Sequence, residues 1–519
     1  MRSFTVSLSA VLVLVCCFAT GCRDTDTTGS TNTTNSEKKG SEDSEKKPIV
    51  VAPLLENWEE PTFALLLTGE QHGYLEPCGC SETQSGGVAR RHDLVKQMNE
   101  RGWTVTGLDL GGTLKRSRLQ SKIKFDAILR ALREMDYGAL NLGPEELALG
   151  AEELLTRFDP NGAEKNNLPF VSANVTLFGS PDLGVPVRYR VYELNGKKIG
   201  LTSIVSPKMT VDNPYVGGDL TIEEPAEALA PVVEKLESEN PDLWVLLSYA
   251  STEESRELIR KYPQFQLVVS AGGFAEPETY AKSEGDAMLL HVGHKGKYAG
   301  VVGFYPDAEE KLKFELVDLD RHRFKNSPEM IEVMRYYQDR LKNENIVERD
   351  PALAHPSGFE FVGVSDCAKC HTKAHAKWKE SRHAHAFESL IKGRENYQGE
   401  WISRIYDPEC LVCHTTGWSQ THYSRYESGY LSEEETPHLL NQQCENCHGP
   451  SSHHSELEWK YDEDRKSVTF EELVAARKEV QLTETEAVKS VCIRCHDGDN
   501  SPNFNFEKYW EKVKHQGRD

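Results

Sequence analysis

Cys367-Ala-Lys-Cys370-His371, Cys410-Leu-Val-Cys413-His414, Cys444-Glu-Asn-Cys447-His448 and Cys492-Ile-Arg-Cys495-His496 repeat one pattern through the last third of the chain. Two thiols separated by two residues reach the two vinyl groups of one porphyrin. The adjacent His then falls beneath the iron as its first axial ligand. Zinc knuckles also use Cys-x-x-Cys pairs, but zinc requires no His directly after the second Cys. All of these pairs have one, and together they use every Cys beyond residue 80. The pattern predicts four covalently bound haem c groups. Cys367, Cys370, Cys410, Cys413, Cys444, Cys447, Cys492 and Cys495 are the thioether positions, and His371, His414, His448 and His496 the proximal iron ligands. A chain so equipped is expected to relay electrons.

The N-terminus suits that chemistry. Arg2 precedes an apolar run from Phe4 to Ala19, short for a membrane span and suited to a signal peptide. It closes with Ala19-Thr20-Gly21-Cys22, which resembles the bacterial lipobox and implies a lipid on Cys22; ordinary cleavage without lipid is the alternative. Either way the expectation over residues 1–22 is export, to the periplasm or the outer membrane. Arg23, rather than Asp, after Cys22 leaves the outer membrane open as a destination. Residues 23–60 read as a disordered tether, because Thr, Ser, Asn, Glu and Lys dominate up to Lys47 and cannot bury a core.

The 519 residues fit two or three domains. A net charge of −22, with no long basic run, excludes nucleic acid as an expected partner and suits docking to a basic redox protein. Of thirteen Cys, eight lie in the haem tetrads, Cys22 in the lipobox, and Cys16 and Cys17 in the signal. Cys78 and Cys80 remain, so no disulfide framework is expected.

Residues 61–325 alternate apolar runs with helical periodicity, the mark of an α/β domain. Phe63–Thr68, Trp103–Leu110, Ala139–Leu142, Leu243–Ser248 and Leu267–Ala271 read as strands, and Gly87–Glu100, Lys122–Met135 and Thr252–Lys261 as helices. Tyr189–Leu194 and Lys197–Val205 flank Asn195-Gly196, a two-residue hairpin signal.

Six motifs in order over this region resemble the 5′-nucleotidase branch of the calcineurin-like metallophosphoesterases. That family's Thr-Asn-Asp-x-His-Gly reads Thr68-Gly69-Glu70-Gln71-His72-Gly73. Its Asp-x-Gly-Asp reads Asp109-Leu110-Gly111-Gly112, and its Gly-Asn-His-Glu reads Gly143-Pro144-Glu145-Glu146. Ser172-Ala173-Asn174 is retained. Its Leu-Ser-His reads Leu247-Ser248-Tyr249, and its Gly-His-x-His reads Gly272-Gly273-Phe274-Ala275. The resemblance implies a four-layer metallophosphoesterase-like sandwich. Its two-metal hydrolysis needs ions about 3.5–4 Å apart that share a water. Here Gly112 replaces the bridging Asp, Pro144 and Glu145 the Asn and catalytic His, and Tyr249, Gly273 and Ala275 three His ligands. Only His72, with Glu70 for Asp, keeps a metal-binding side chain. The expectation is a retained scaffold without its hydrolytic centre.

Other residues of this region have two readings each. Cys78-Gly79-Cys80 is either a redox dithiol or soft-metal site, or a tight loop with bystander thiols. His291 and His294 read as surface or loop histidines, and Arg90 and Arg91 as a solvated helix face.

Residues 326–360 read as a charged helical connector, broken at Asp350-Pro351. Residues 361–519 read as a mainly α, loop-rich multihaem cytochrome c domain. No Met follows Met334, so Met ligation is excluded there and bis-His iron is expected. Candidate distal residues are His375, His383, His385, His422, His438, His453, His454 and His515, with His355 just outside.

The lead-in Phe361-Val-Gly-Val-Ser-Asp-Cys367, Trp378-Lys-Glu-Ser-Arg-His383, Cys444 to His454 and Tyr509 to His515 resemble the multihaem family that includes the tetrahaem cytochrome of ammonia oxidisers. The resemblance implies His383 and His454 as distal ligands and a closing turn at His515. Some relatives leave one haem five-coordinate.

The resulting expectation is an exported, lipid-anchored tetrahaem cytochrome c whose first domain binds or docks without hydrolysis. The rivals are a 5′-nucleotidase-like hydrolase with an accessory haem domain, and a haem enzyme acting on a small nitrogen or sulfur compound.

Overall fold

Phe63–Thr68 runs through the centre of a six-stranded sheet, buried along its whole length. A strand covered on both faces needs a continuous apolar run rather than alternation, which is what Phe-Ala-Leu-Leu-Leu supplies. It pairs in parallel with Val105–Asp109 and antiparallel with Tyr298–Phe304. Tyr137–Asn141 and Phe170–Val171 extend the sheet on one side and Leu312–Asp318 on the other. The computed structural model describes residues 53–77, 84–158, 168–393, 397 and 399–516. The signal, Cys22 and the Cys78-Gly79-Cys80 motif lie outside them.

A second six-stranded sheet orders Lys282–Glu284, Ala287–Leu290, Leu267–Ser270, Leu243–Tyr249, Lys197–Val205 and Tyr189–Leu194. Its side chains alternate between two cores. Leu201, Val245, Leu247 and Val269 join the core shared with the first sheet. Ile204, Leu246 and Val268 pack instead beneath the helices Pro225–Glu239 and Thr252–Lys261. The helices Val88–Glu100, Leu119–Glu134 and Pro328–Asn343 contribute buried faces to the core of the first sheet. The layers are therefore helix, sheet, sheet, helix. Asn195 and Gly196 both take positive φ (48° and 76°), the primed turn that matches strand twist.

Two readings change here. Arg90 and Arg91 do not face solvent: both are buried, with 0 % and 1 % exposure. Arg91 Nη2 donates to Gln71 Oε1 at 3.0 Å, and Arg90 Nη1 donates to the Gln84 carbonyl at 2.6 Å. Burial raises the carboxyl of Asp109 in the same core, and the positive charge of Arg91 opposes that rise. The helix at 328–343 is also more than a connector. It buries Met330, Ile331, Val333, Met334, Tyr337, Gln338 and Leu341 against the first domain.

The last third is a set of short helices and turns. Its own apolar cluster is small: Val347, Phe361, Phe387, Leu390, Leu411, Val412, Trp418, Tyr430 and Leu439. It docks on the first domain through polar side chains. Gln120 and Gln338 donate to the two oxygens of Asp407 at 2.7 and 3.0 Å. Lys124 and Arg116 pair with Glu409. Asp407 also caps the helix Pro408–His414, which carries the second tetrad.

Candidate functional site

Each tetrad forms one helical turn. The His amide donates to the carbonyl of the first Cys in His371 (2.9 Å), His448 (3.0 Å) and His496 (2.9 Å), and Cys410 to His414 lies within a helix. Positions i, i+3 and i+4 share one face of such a turn, so both thiols and the imidazole point the same way.

The proximal rings are oriented by their Nδ1 atoms. His414 Nδ1 lies 2.7 Å from the Ala386 carbonyl and His448 Nδ1 2.7 Å from the Val480 carbonyl. His496 Nδ1 lies 3.0 Å from Ser501 Oγ. A ring whose Nδ1–H is committed to an oxygen offers Nε2 to a metal.

An imidazole nitrogen binds a first-row metal ion at about 2 Å with the ring centre about 1 Å behind it, so two rings flanking one ion stand about 6 Å apart. Three proximal rings have such a partner. His371 faces His454 at 6.4 Å, His448 faces His515 at 5.8 Å, and His496 faces His383 at 6.1 Å. Burial lowers the pKa values of His383 and His454, which keeps these rings in the neutral, ligating form. His454 Nδ1 is buried without a hydrogen-bond partner. The residues present fit bis-His haem at the first, third and fourth tetrads.

The other candidates go elsewhere. His453 turns to Glu479 at 2.9 Å, His385 to Glu388 at 3.3 Å, and His375 stacks on Trp378. His355 packs on Phe361 and Tyr426, while His422 and His438 are exposed.

The thiols show which tetrads adjoin. Cys367 and Cys444 are neighbours, as are Cys413 and Cys495. Cys447 lies near Cys492 and Cys495. In space the tetrads follow the order first, third, fourth, second.

A second group of polar side chains sits where the parallel strands of the first domain end, the usual place for a site in an open α/β sheet. Glu70 and His72 follow Phe63–Thr68, and both hold positive φ (45° and 49°). Their amides donate to the carbonyls of Gly111 (2.7 Å) and Gly112 (2.9 Å). Glu145 and Glu146 open the helix Pro144–Leu147. Glu146 is fully buried and accepts from the amides of Gly112, Thr113 and Gly143 at 3.0, 2.6 and 2.8 Å, so it braces the loops. The Glu145 carboxyl is pushed up to about 7 by burial and then by Glu146. Tyr249 Oη donates to Glu145 Oε2 at 3.3 Å.

The dinuclear centre implied by the motifs does not fit. A Cβ on Gly112 would meet the Tyr249 hydroxyl at 2.8 Å, so the space of a bridging carboxylate is filled. A Cβ on Gly273 would meet the His291 ring at 2.8 Å. His291 lies in the loop after Ala287–Leu290, as one of its two readings had it, but it is buried rather than at the surface and bonds Thr252 Oγ1 at 3.0 Å.

His294 is the residue that the motifs did not mark. The turn after Ala287–Leu290, with Gly293 and Gly296 at positive φ, brings its Nε2 to 3.3 Å from Glu70 Oε1 and its ring centre to 5.4 Å from that of His72. Ligand atoms of Glu70, His72 and His294 all lie within 4.8 Å of one another.

The chain resembles two families, one in each half. Residues 366–449 match the family "Cytochrome c554 and c-prime". Cytochrome c-554 of Nitrosomonas europaea is 32 % identical over 97 residues, 17 % of this chain and 38 % of the relative. The other relatives are 5′-nucleotidases. That of Rattus norvegicus is 26 % identical over 228 residues, 42 % of this chain and 38 % of the relative. The human one is 25 % identical over 242 residues, 44 % of this chain and 40 % of the relative. The matches thus span about two fifths of each relative.

Among solved structures, the 5′-nucleotidase precursor from Thermus thermophilus is 22 % identical with a TM-score of 0.46, over 56 % of this chain and 60 % of that one. The calcineurin-like phosphoesterase YfkN from Bacillus subtilis is 18 % identical with a TM-score of 0.45, over 54 % and 98 %. A 5′-nucleotidase-like region is thus joined to a cytochrome c554-like one, and the latter match supports covalent c-type haem and an electron-transfer role.

Proposed function

We propose that this protein is an exported tetrahaem c-type cytochrome that relays electrons, with a first domain that does not hydrolyse phosphate esters. The reading rests on the three facing pairs His371/His454, His448/His515 and His496/His383. When bound, each haem supplies one-electron redox chemistry, and two imidazoles would set a low potential at the first, third and fourth tetrads. The chain's part is to hold the rings, keep them neutral and fix their tautomers. The adjoining thiols support a relay order of first, third, fourth and second tetrads. The signal-like run up to Ala19 and the lipobox-like Ala19-Thr20-Gly21-Cys22 support export and an N-terminal lipid anchor in the membrane. The charge of −22 supports docking to a basic redox partner protein.

Mass spectrometry of the mature protein should show four haem additions that survive acid extraction. Fewer than three, from cells competent in haem attachment, would sink the tetrahaem reading.

A further inference from the structure

We propose that Glu70, His72 and His294 hold one iron(II) ion, a mononuclear site standing where the dinuclear centre does not fit and set against the fourth haem tetrad. Two imidazoles and one carboxylate with open positions are the ligand set of non-haem iron(II). Four features beyond composition point to a ligand. Glu70 is 5 % exposed, yet its Oε2 has no hydrogen-bond partner. A buried carboxylate oxygen left so costs free energy that an ion would recover. Glu70 and His72 are both held at positive φ, a strain that persists where a site over-determines it. The His72 ring also lies near the Leu114 carbonyl. Finally, the Lys295 amide donates to the Glu70 carbonyl at 2.8 Å, which ties the His294 turn to the Glu70 loop. His72 and His294 side chains are 23 % and 29 % exposed, which gives an ion a way in.

The same loops meet the fourth tetrad. Lys295, next to His294, pairs with Asp499, and Tyr74 Oη donates to Asp499 Oδ2 at 3.1 Å. Asp499 lies three residues after His496. The placement would let an iron ion at this site exchange one electron with a haem held by Cys492, Cys495 and His496, which would supply one-electron redox chemistry when bound. Zinc accepts these ligands too but has no redox chemistry, so iron is the ion that makes use of the position. This last step rests on the haem reading above; the metal site does not.

The test uses the purified holoprotein, stripped with a chelator that leaves covalent haem in place. Anaerobic iron(II) is added and counted by elemental analysis against haem. One non-haem ion per chain is expected. His294→Ala and Glu70→Gln should weaken its binding by more than the about 10- to 100-fold that losing an outer-shell partner costs, with haem spectra unchanged. His291→Ala, whose ring serves Thr252, should bind as the wild type does. Two ions per chain, none in the wild type, or wild-type affinity in His294→Ala would overturn the site. An equal loss in His291→Ala would remove the assignment of His294. Manganese(II) at the site should speed the relaxation of one low-spin haem signal in EPR power saturation, an effect absent in His294→Ala. If no haem signal responds, or if the protein as isolated holds zinc there, the electron exchange is wrong while the haem count stands.

Discussion

Arg404 of the haem region and Glu76 of the first domain form a 2.9 Å ion pair that water hardly reaches, with side chains 3 % and 15 % exposed. The pair lies across the junction of the two regions, beside the contacts of Asp407 and Glu409. Removing one partner strands a buried charge, which costs about 3–5 kcal/mol. Arg404→Met should therefore lower the urea midpoint strongly, and Glu76→Gln should do much the same. A loss under about 1 kcal/mol would class the pair with exposed salt bridges instead.

Gly112→Asp tests the lost bridging position. The residue sits at φ 70°, and its new Cβ would meet Tyr249 Oη at 2.8 Å. The substitution should destabilise the chain by about 1–3 kcal/mol and restore no hydrolysis. Denaturation curves and a manganese-dependent phosphate-release assay with nucleotides give the two readouts. Turnover in the wild type that disappears on His72→Ala would move the hydrolase reading to first place.

Each distal His should act on its own haem. His454→Ala should turn the first haem high-spin, His515→Ala the third and His383→Ala the fourth, with thioethers intact. EPR of each oxidised variant would show one low-spin signal lost and one high-spin signal gained. Unchanged spectra in a variant would remove that residue from the ligand set.

Glu254, on the helix Thr252–Lys261 of the first domain, gives a pH test. Burial alone would raise its carboxyl. Hydrogen bonds from Ser251, Lys208 and Ser206 outweigh this and lower it from 4.5 to about 2. A carboxyl depressed in the folded state stabilises above its unfolded value, and that contribution is lost as pH falls through the folded one. Glu254→Gln should thus cost stability at neutral pH and little near pH 2. Urea midpoints of the two proteins that stay parallel between about pH 5 and pH 2 would contradict this.

The four tetrads, the buried strand Phe63–Thr68, the Asn195-Gly196 turn and the helix Thr252–Lys261 were all legible in the sequence, because each depends on neighbours a few residues away. So was the loss of metal ligands at Gly112, Pro144, Gly273 and Ala275, since a missing donor atom needs no context. Arg91 was misread because a polar residue on a helix looks solvated until the partner, Gln71, arrives from the loop after the first strand. His453 and His454 are neighbours of one type, and only the fold turns one to Glu479 and the other to His371. His294 carried no motif, and a turn far downstream is what brings it to Glu70. What the sequence alone determined was covalent and local: which residues can attach a haem and which strands can be buried. What only the tertiary structure decided was pairing at a distance, because a metal site needs donors within a few ångströms whatever their separation along the chain.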